Sequence, residues 1–371
     1  MRGSMRIAGL WLGAAAIILL LAGCSNPPSA QAITSALTGP CSPPDGFADL
    51  SWSPDGREIA YVLFLPKQAG QIFTMDVVTG NQTQLTDTPL GNTSPAWSPD
   101  SKRIAFVSYR DFGEAEVYVM NADPGLAGSG SQQTRLTQSP GDDGSPAWSP
   151  DGKRIAFVSM RDRDSEVYVI DRDGRNETRL TNKAGVEDGP QWSPDSRRIV
   201  FRSSWQSNTG VVVIDAQAGL DEANPELLSI GGDAVWSPDG RKLAYIAPFN
   251  GAVGLYVMNA DGSNPVALTA SASIVTGPRW TPDGKSLLFD ARQAGSADLF
   301  RIHADGSGLT ALTSLAGDNT WPAISPDGKS IAFLSTRDGG ATDVYRMNAD
   351  GSHPTRLTDN PGNQRCLKWP F

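Results

Sequence analysis

The sequence predicts an all-β fold, a seven-bladed β-propeller of four-stranded antiparallel blades, behind an export signal. Three observations carry that prediction. First, W-S-P-D-G or a close variant begins at Trp52, Trp97, Trp148, Trp192, Trp236 and Trp280, and Ile324 opens a seventh copy. The spacings are 45, 51, 44, 44, 44 and 44 residues, and such a period marks a propeller built from repeated blades. Second, a Leu-Thr phrase closes most repeats, at Thr86, Thr137, Thr181, Thr269, Thr313 and Thr358. Third, 39 Gly and 27 Pro among 371 residues fit many short strands joined by tight turns.

In chain order, Arg2 and Arg6 precede an apolar run over residues 7–22 that ends Leu21-Ala22-Gly23-Cys24. This reads as an export signal. Its L-A-G-C ending resembles a bacterial lipoprotein lipobox. The resemblance implies that residues 1–23 are removed and that Cys24 is the lipidated first residue of an exported, membrane-anchored protein. The alternative is an uncleaved anchor helix, for which the run is short. Residues 24–45, rich in Ser, Pro and Ala, read as a flexible tether. The propeller is expected over 46–371.

The third repeat shows the expected blade. Ser145–Trp148 is a short first strand, and Ser149-Pro150-Asp151-Gly152 a type I turn. Arg154–Ser159 is an apolar second strand, and Glu166–Ile170 an alternating third. A hairpin turn, Asp171–Gly174, leads to a fourth strand, Glu177–Thr181. Two repeats depart from the pattern. Residues 124–131 lengthen the second, and Val211–Gly231 in the fourth loses the Leu-Thr phrase.

This pattern resembles the TolB-like (WD-type) propeller repeat family, over residues 46–369. The resemblance implies a protein-binding module of the cell envelope, or a non-catalytic domain of the kind attached to peptidases. TolB itself carries an α/β domain ahead of six blades. Here the stretch between Cys24 and the first repeat is short, so that domain is not expected and its partners are not carried over.

Surplus strand-like segments lie at both ends. Residues 32–38 read as an extra fourth strand and 365–370 as an extra first strand. Either they complete the seam between last and first blades or they build an eighth blade. Cys41 and Cys366 fall at the same seam, and export favours a disulfide between them. The alternative is two free thiols.

Topology then sorts the loops. The S-P-D-G and A-D-G turns share one face and are near-identical from repeat to repeat. The connections from second to third strand, and from fourth to the next first, share the other face and vary. Variable loops on a rigid scaffold are where binding concentrates. Upstream of the Trp positions this face carries Asp49, Asp142, Asp143, Glu187, Asp188, Asp233 and Asp318. They read either as a carboxylate ring that attracts a basic partner or cation, or as loop residues capping turns. Arg110, Arg161 and Arg337 are candidate partner contacts, though each precedes an Asp and also reads as a structural ion pair. Trp205 and Trp321 lie outside the repeat's Trp position and are candidate contacts to a protein or a sugar.

Composition excludes other classes. A net charge of −9 argues against a nucleic-acid surface. The only two histidines, His303 and His353, sit at A-D-G turns, and no G-x-S-x-G occurs. No catalytic residue, metal site or cofactor is therefore expected. A calcium or sodium ion is the one inorganic ligand that the acidic mouth would suit. The leading expectation is a non-enzymatic lipoprotein that binds an envelope protein. The alternative is a carbohydrate-binding protein or a propeller-type polysaccharide lyase.

Overall fold

The computed structural model describes residues 46–64, 69–111, 114–123, 132–162, 164–182, 185–205, 208–217, 225–249, 252–269, 273–274, 277–293, 295–314, 317–338 and 342–359. They form seven blades. Blade 1 is β1 (Gly46–Trp52), β2 (Glu58–Phe64), β3 (Gln71–Asp76) and β4 (Gln82–Gln84). Blade 2 is β5 (Asn92–Trp97), β6 (Arg103–Ser108), β7 (Glu116–Asn121) and β8 (Thr134–Arg135). Blade 3 is β9 (Asp143–Trp148), β10 (Arg154–Ser159), β11 (Glu166–Asp171) and β12 (Thr178–Arg179). Blade 4 is β13 (Val186–Trp192), β14 (Arg198–Trp205), β15 (Asn208–Asp215) and β16 (Glu226–Ile230). Blade 5 is β17 (Gly232–Trp236), β18 (Lys242–Phe249), β19 (Ala252–Asn259) and β20 (Val266–Ala267). Blade 6 has a split first strand, β21 (Ser273–Ile274) and β22 (Arg279–Trp280), then β23 (Ser286–Gln293), β24 (Ser296–His303) and β25 (Thr310–Ala311). Blade 7 is β26 (Asn319–Ile324), β27 (Ser330–Ser335), β28 (Asp343–Asn348) and β29 (Thr355–Arg356). Neighbouring strands within each blade are antiparallel. One parallel bridge, Val253 to Ser273, joins blades 5 and 6 into a single sheet.

The S-P-D-G phrase recurs because each of its side chains has a partner. In blade 3, Ser149 Oγ donates to Asp151 Oδ1 (2.6 Å) and accepts the Arg154 N–H (2.9 Å). Asp151 Oδ1 also accepts the Lys153 N–H (3.1 Å), and Gly152 takes φ 68°. Blades 2 and 4 have Ser in the Gly position, at φ 58° and 60°. Their hydroxyls accept a backbone N–H from the preceding blade's turn, Asp55 to Ser101 and Asp151 to Ser196, both at 3.0 Å. The A-D-G turn docks on the same face: the Arg172 N–H donates to Lys153 O (2.9 Å). The Leu-Thr threonine holds the other end of the blade. Thr181 Oγ1 accepts the Val167 N–H (2.9 Å) and donates to Glu166 (2.5 Å).

Each seam between blades is its own apolar layer, and the second strand shows why. In Ile155-Ala156-Phe157, Ile155 and Phe157 face blade 2, and Ala156 faces blade 4. Large side chains of one blade thus meet small ones of the blade before it, which fills the seam at crystal-like density. The ring closes the same way. Ala332, Leu334 and Val344 of blade 7 pack on Ile59, Tyr61 and Met75 of blade 1, and Trp52 Nε1 donates to Ala323 O (2.9 Å). Every blade consists of consecutive strands. The surplus segments 32–38 and 365–370, with Cys24, Cys41 and Cys366, lie outside the described residues.

One exchange runs through the turn-side end of the seams. Arg154 opens β10, lies 4.8 Å over the Trp192 ring and donates to Ala216 O (2.7 Å) and Ser196 O (3.2 Å). Arg198 repeats this over Trp236, donating to Ala260 O (3.4 Å). Blades 6 and 7 have Ser286 and Ser330 at that position, and their third strands carry Arg301 and Arg346 where blade 3 has Val169. The guanidinium still reaches the equivalent carbonyl, Ala349 O (3.5 Å) or Val77 O (3.1 Å). The smaller serines leave clefts of about 470 and 480 Å³ on the two sides of blade 7.

Candidate interaction face

The variable loops gather on one face, as the strand order requires. Connections leaving the second strand bond to connections entering the first strand of the same blade: Tyr109 N–H to Gly91 O (3.2 Å), Met160 N–H to Asp142 O (2.9 Å) and Thr336 N–H to Asp318 O (3.0 Å). The face divides by blade. In blades 4, 5 and 6 the second and third strands run eight residues and pair to the tip, at Trp205↔Asn208, Phe249↔Ala252 and Gln293↔Ser296. Trp205 therefore stands at a hairpin tip. In blades 2, 3 and 7 the paired strands are six residues long.

Arg110, Arg161 and Arg337 organise the latter three blades. Each folds back over an aromatic pair of its own blade, 4.5 Å from Tyr118, 4.3 Å from Tyr168 and 4.7 Å from Tyr345. Each also bonds a serine of its own second strand, Ser108 (2.7 Å), Ser159 (2.7 Å) or Ser335 (3.0 Å). The following Asp residues, Asp111, Asp162 and Asp338, accept the tyrosine hydroxyls. The geometry of these arginines is that of loop braces.

The innermost strands of blades 1 to 5 and 7 share a feature that the repeat phrase conceals. Three residues before the Trp position the chain bulges, and the register slips against the second strand. The residue there is left-handed: Asp49 (φ 53°), Ser94 (54°), Ser145 (52°), Gly189 (60°), Asp233 (49°) and Trp321 (56°). A bulky side chain rarely adopts this conformation. Trp321 does so while 40% exposed, so packing alone does not explain it. The bulges meet around the ring, because each first strand lies beside the next and β26 lies beside β1.

The carboxylates sort into three environments. Asp143 and Glu187, expected on the surface, are buried at 0% and 3% exposure; this corrects their reading as partner contacts. They fall at the start of the first strands, β9 and β13. Asp142 caps the neighbouring loop, its Oδ1 accepting the Ala115 N–H (2.8 Å). Asp49 accepts the Ser94 N–H (3.1 Å), and burial pushes its carboxyl up while that bond opposes the shift. The remaining three are paired with arginine. Arg202 lies 2.7 Å from Asp188 and 3.9 Å from Asp233, and Arg292 lies 3.5 Å from Asp318. The face is thus one of mixed charge. Arg202 was legible as a charged residue where the apolar second strand of blade 3 has Val158. Among the described residues, no group of three or more His, Cys, Asp or Glu is placed to hold a metal ion.

The chain matches the family model for the TolB beta propeller domain over residues 48–169, 126–224 and 169–338. It is 40% identical over 126 residues to the Tol-Pal system protein TolB of Bordetella pertussis, covering 33% of this chain and 27% of that one. The match thus spans about a quarter of the relative's length. Among solved structures it is similar to TolB from Acinetobacter baumannii, with a TM-score of 0.54 and 24% identity, covering 79% of this chain and 69% of that one. It is similar also to puromycin hydrolase, with a TM-score of 0.68 and 15% identity over 91% of this chain and 57% of that one. At these identities the structural likenesses speak to fold.

Proposed function

Because the chain belongs to the TolB beta propeller domain family, we propose that it is a non-enzymatic scaffold of the cell envelope that binds a protein partner through its variable face. The observation that carries this reading is Trp321, a large aromatic held exposed in a strained conformation among the bulges of that face. Exposed aromatics beside arginine are common interface anchors, and strained residues cluster where a protein contacts its ligands. The proposed surface comprises Trp321, the hairpin tip at Trp205, and Asp142, Asp188, Asp233 and Asp318. The relatives named as Tol-Pal system proteins make an envelope protein the natural partner class. Lipidation at Cys24 would hold the ring at a membrane through residues 25–45, and a Cys41–Cys366 link would staple its ends.

Cross-linking in the native envelope, with mass spectrometry of the adducts, tests the reading. One protein attached through residues 138–146, 203–210 or 317–322 is the expected result. Cross-links confined to the S-P-D-G face would overturn it.

A further inference from the structure

At the variable-face end of the seams, a residue of a third strand meets the residue that opens the next blade's first strand. Between blades 1 and 2 this meeting is amide to amide, Asn92 Nδ2 donating to Gln71 Oε1 (2.9 Å). Between blades 6 and 7 it is amide to carboxylate, Asn319 Nδ2 donating to Asp298 Oδ1 (3.2 Å). Between blades 2 and 3 the same positions hold Glu116 and Asp143, two carboxyl groups with no exposure to solvent. Thr137 Oγ1 donates to Glu116 Oε2 (2.6 Å) and also stands beside Asp143.

The charges around this pair do not balance it. Arg135 from β8 bonds Glu116, but it also pairs with Asp111 at 3.2 Å. Arg161, which follows β10, lies 3.6 Å from Asp143 and also pairs with Glu177. Arg110 is turned to the other seam, bonded to Ser108 and to Asn92 Oδ1 (3.2 Å). Four carboxyl groups therefore share two guanidinium groups, and the two buried ones must desolvate. Such a pair keeps a proton that isolated carboxylates would lose.

We propose that Glu116 and Asp143 share one proton, and that its loss releases the Asp142–Asp143 turn of the variable face. The coupling is short. The Asp143 N–H donates to Ala115 O (2.7 Å), the Ala115 N–H to Asp142 Oδ1 (2.8 Å), and the Met160 N–H to Asp142 O (2.9 Å). Repulsion between two ionised carboxylates acts directly on the strand start that anchors these bonds. Whether the turn then modulates a partner rests on the reading above; the latch itself does not.

Burial, with the Asp143 charge adding to it and Thr137 and Arg135 opposing, lifts Glu116 from 4.5 to about 7. A carboxyl raised in the closed state binds its proton more tightly there than in the open state. Its stabilisation is full below pH 4.5 and is lost as pH rises through 7. With those two values, linkage makes opening roughly tenfold more favourable at pH 8 than at pH 6.

Hydrogen exchange of the whole protein at pH 6 and pH 8, corrected for intrinsic rates, tests this without any partner. The amides of Ala115, Asp143 and Met160 are expected to lose protection about tenfold at pH 8. Glu116→Gln should abolish that dependence, and Asp143→Asn, which recreates the Asp298–Asn319 arrangement but leaves Glu116 buried, should shift it to lower pH. Should Glu116→Gln not fold, Asp143→Asn decides alone. Unchanged protection in the natural protein, or equal pH dependence in a folded variant, would overturn the proposal. A latch that fails beside positive cross-links would leave the partner reading intact, and the reverse holds too.

Discussion

Arg154→Ser should weaken the seam between blades 3 and 4, and a second substitution should repair it. The guanidinium makes two bonds to backbone carbonyls, at 2.7 and 3.2 Å, and covers the Trp192 ring. Bonds from a charged donor contribute about 1.5–3 kcal/mol each when buried. Arg154 is half-exposed, so about 1 kcal/mol each is the better figure, with about 0.5 kcal/mol from the ring. The expected cost is therefore about 2–3 kcal/mol in urea unfolding. Val169→Arg alone should cost about 3 kcal/mol, because the new charge enters a filled seam whose acceptor is taken. The double variant recreates what blade 7 does with Ser330 and Arg346 beside Trp52. It should recover to within about 1–2 kcal/mol of the parent, a strongly non-additive cycle. Strict additivity of the two single costs would refute the claim that strands two and three exchange the same guanidinium site.

Three further outcomes follow from the geometry. Trp321→Gly relieves a left-handed tryptophan and should leave thermal stability unchanged or raised by about 1 kcal/mol, while weakening capture of the cross-linked partner; loss of stability with unaltered capture would argue for a packing role. Arg202→Ala removes the cation beside Asp188 and Asp233 and should strengthen binding of a basic partner in low salt, an effect that titration with NaCl should erase. Gly231→Ala places a methyl 2.4 Å from Ile246 O at φ 138°, and should cost more than about 2 kcal/mol by calorimetry; a smaller loss would mean that the blade 4–5 junction yields.

The blades were legible because period and turn chemistry agree. Ser149, Asp151 and Gly152 are each fixed by a partner or a φ value, so the phrase repeats wherever the turn does. Sorting of loops to two faces followed from strand direction alone. The bulge was not legible, because the left-handed position accepts Asp, Ser, Gly and Trp alike and leaves no residue signature. Asp143 and Glu187 were misplaced for the same reason: with a bulge between them and the Trp position, counting alternate residues no longer tells which side chains point inward. The Arg exchange of blades 6 and 7 was hidden because its two halves lie on different strands, and only the shared carbonyl acceptor links Arg154 with Arg346.

The bulge of the innermost strands also separates two kinds of selection. Residues in the seams answer to their neighbours, so a change there is judged by whether the ring still stands. The left-handed residue belongs to neither seam nor strand edge, and glycine already occupies it at Gly189. Substitution at that one position can therefore rewrite the chemical lettering around the axis, blade by blade, while folding goes unaffected. Six such slots on one ring let related chains diverge in what they recognise without first having to become more stable.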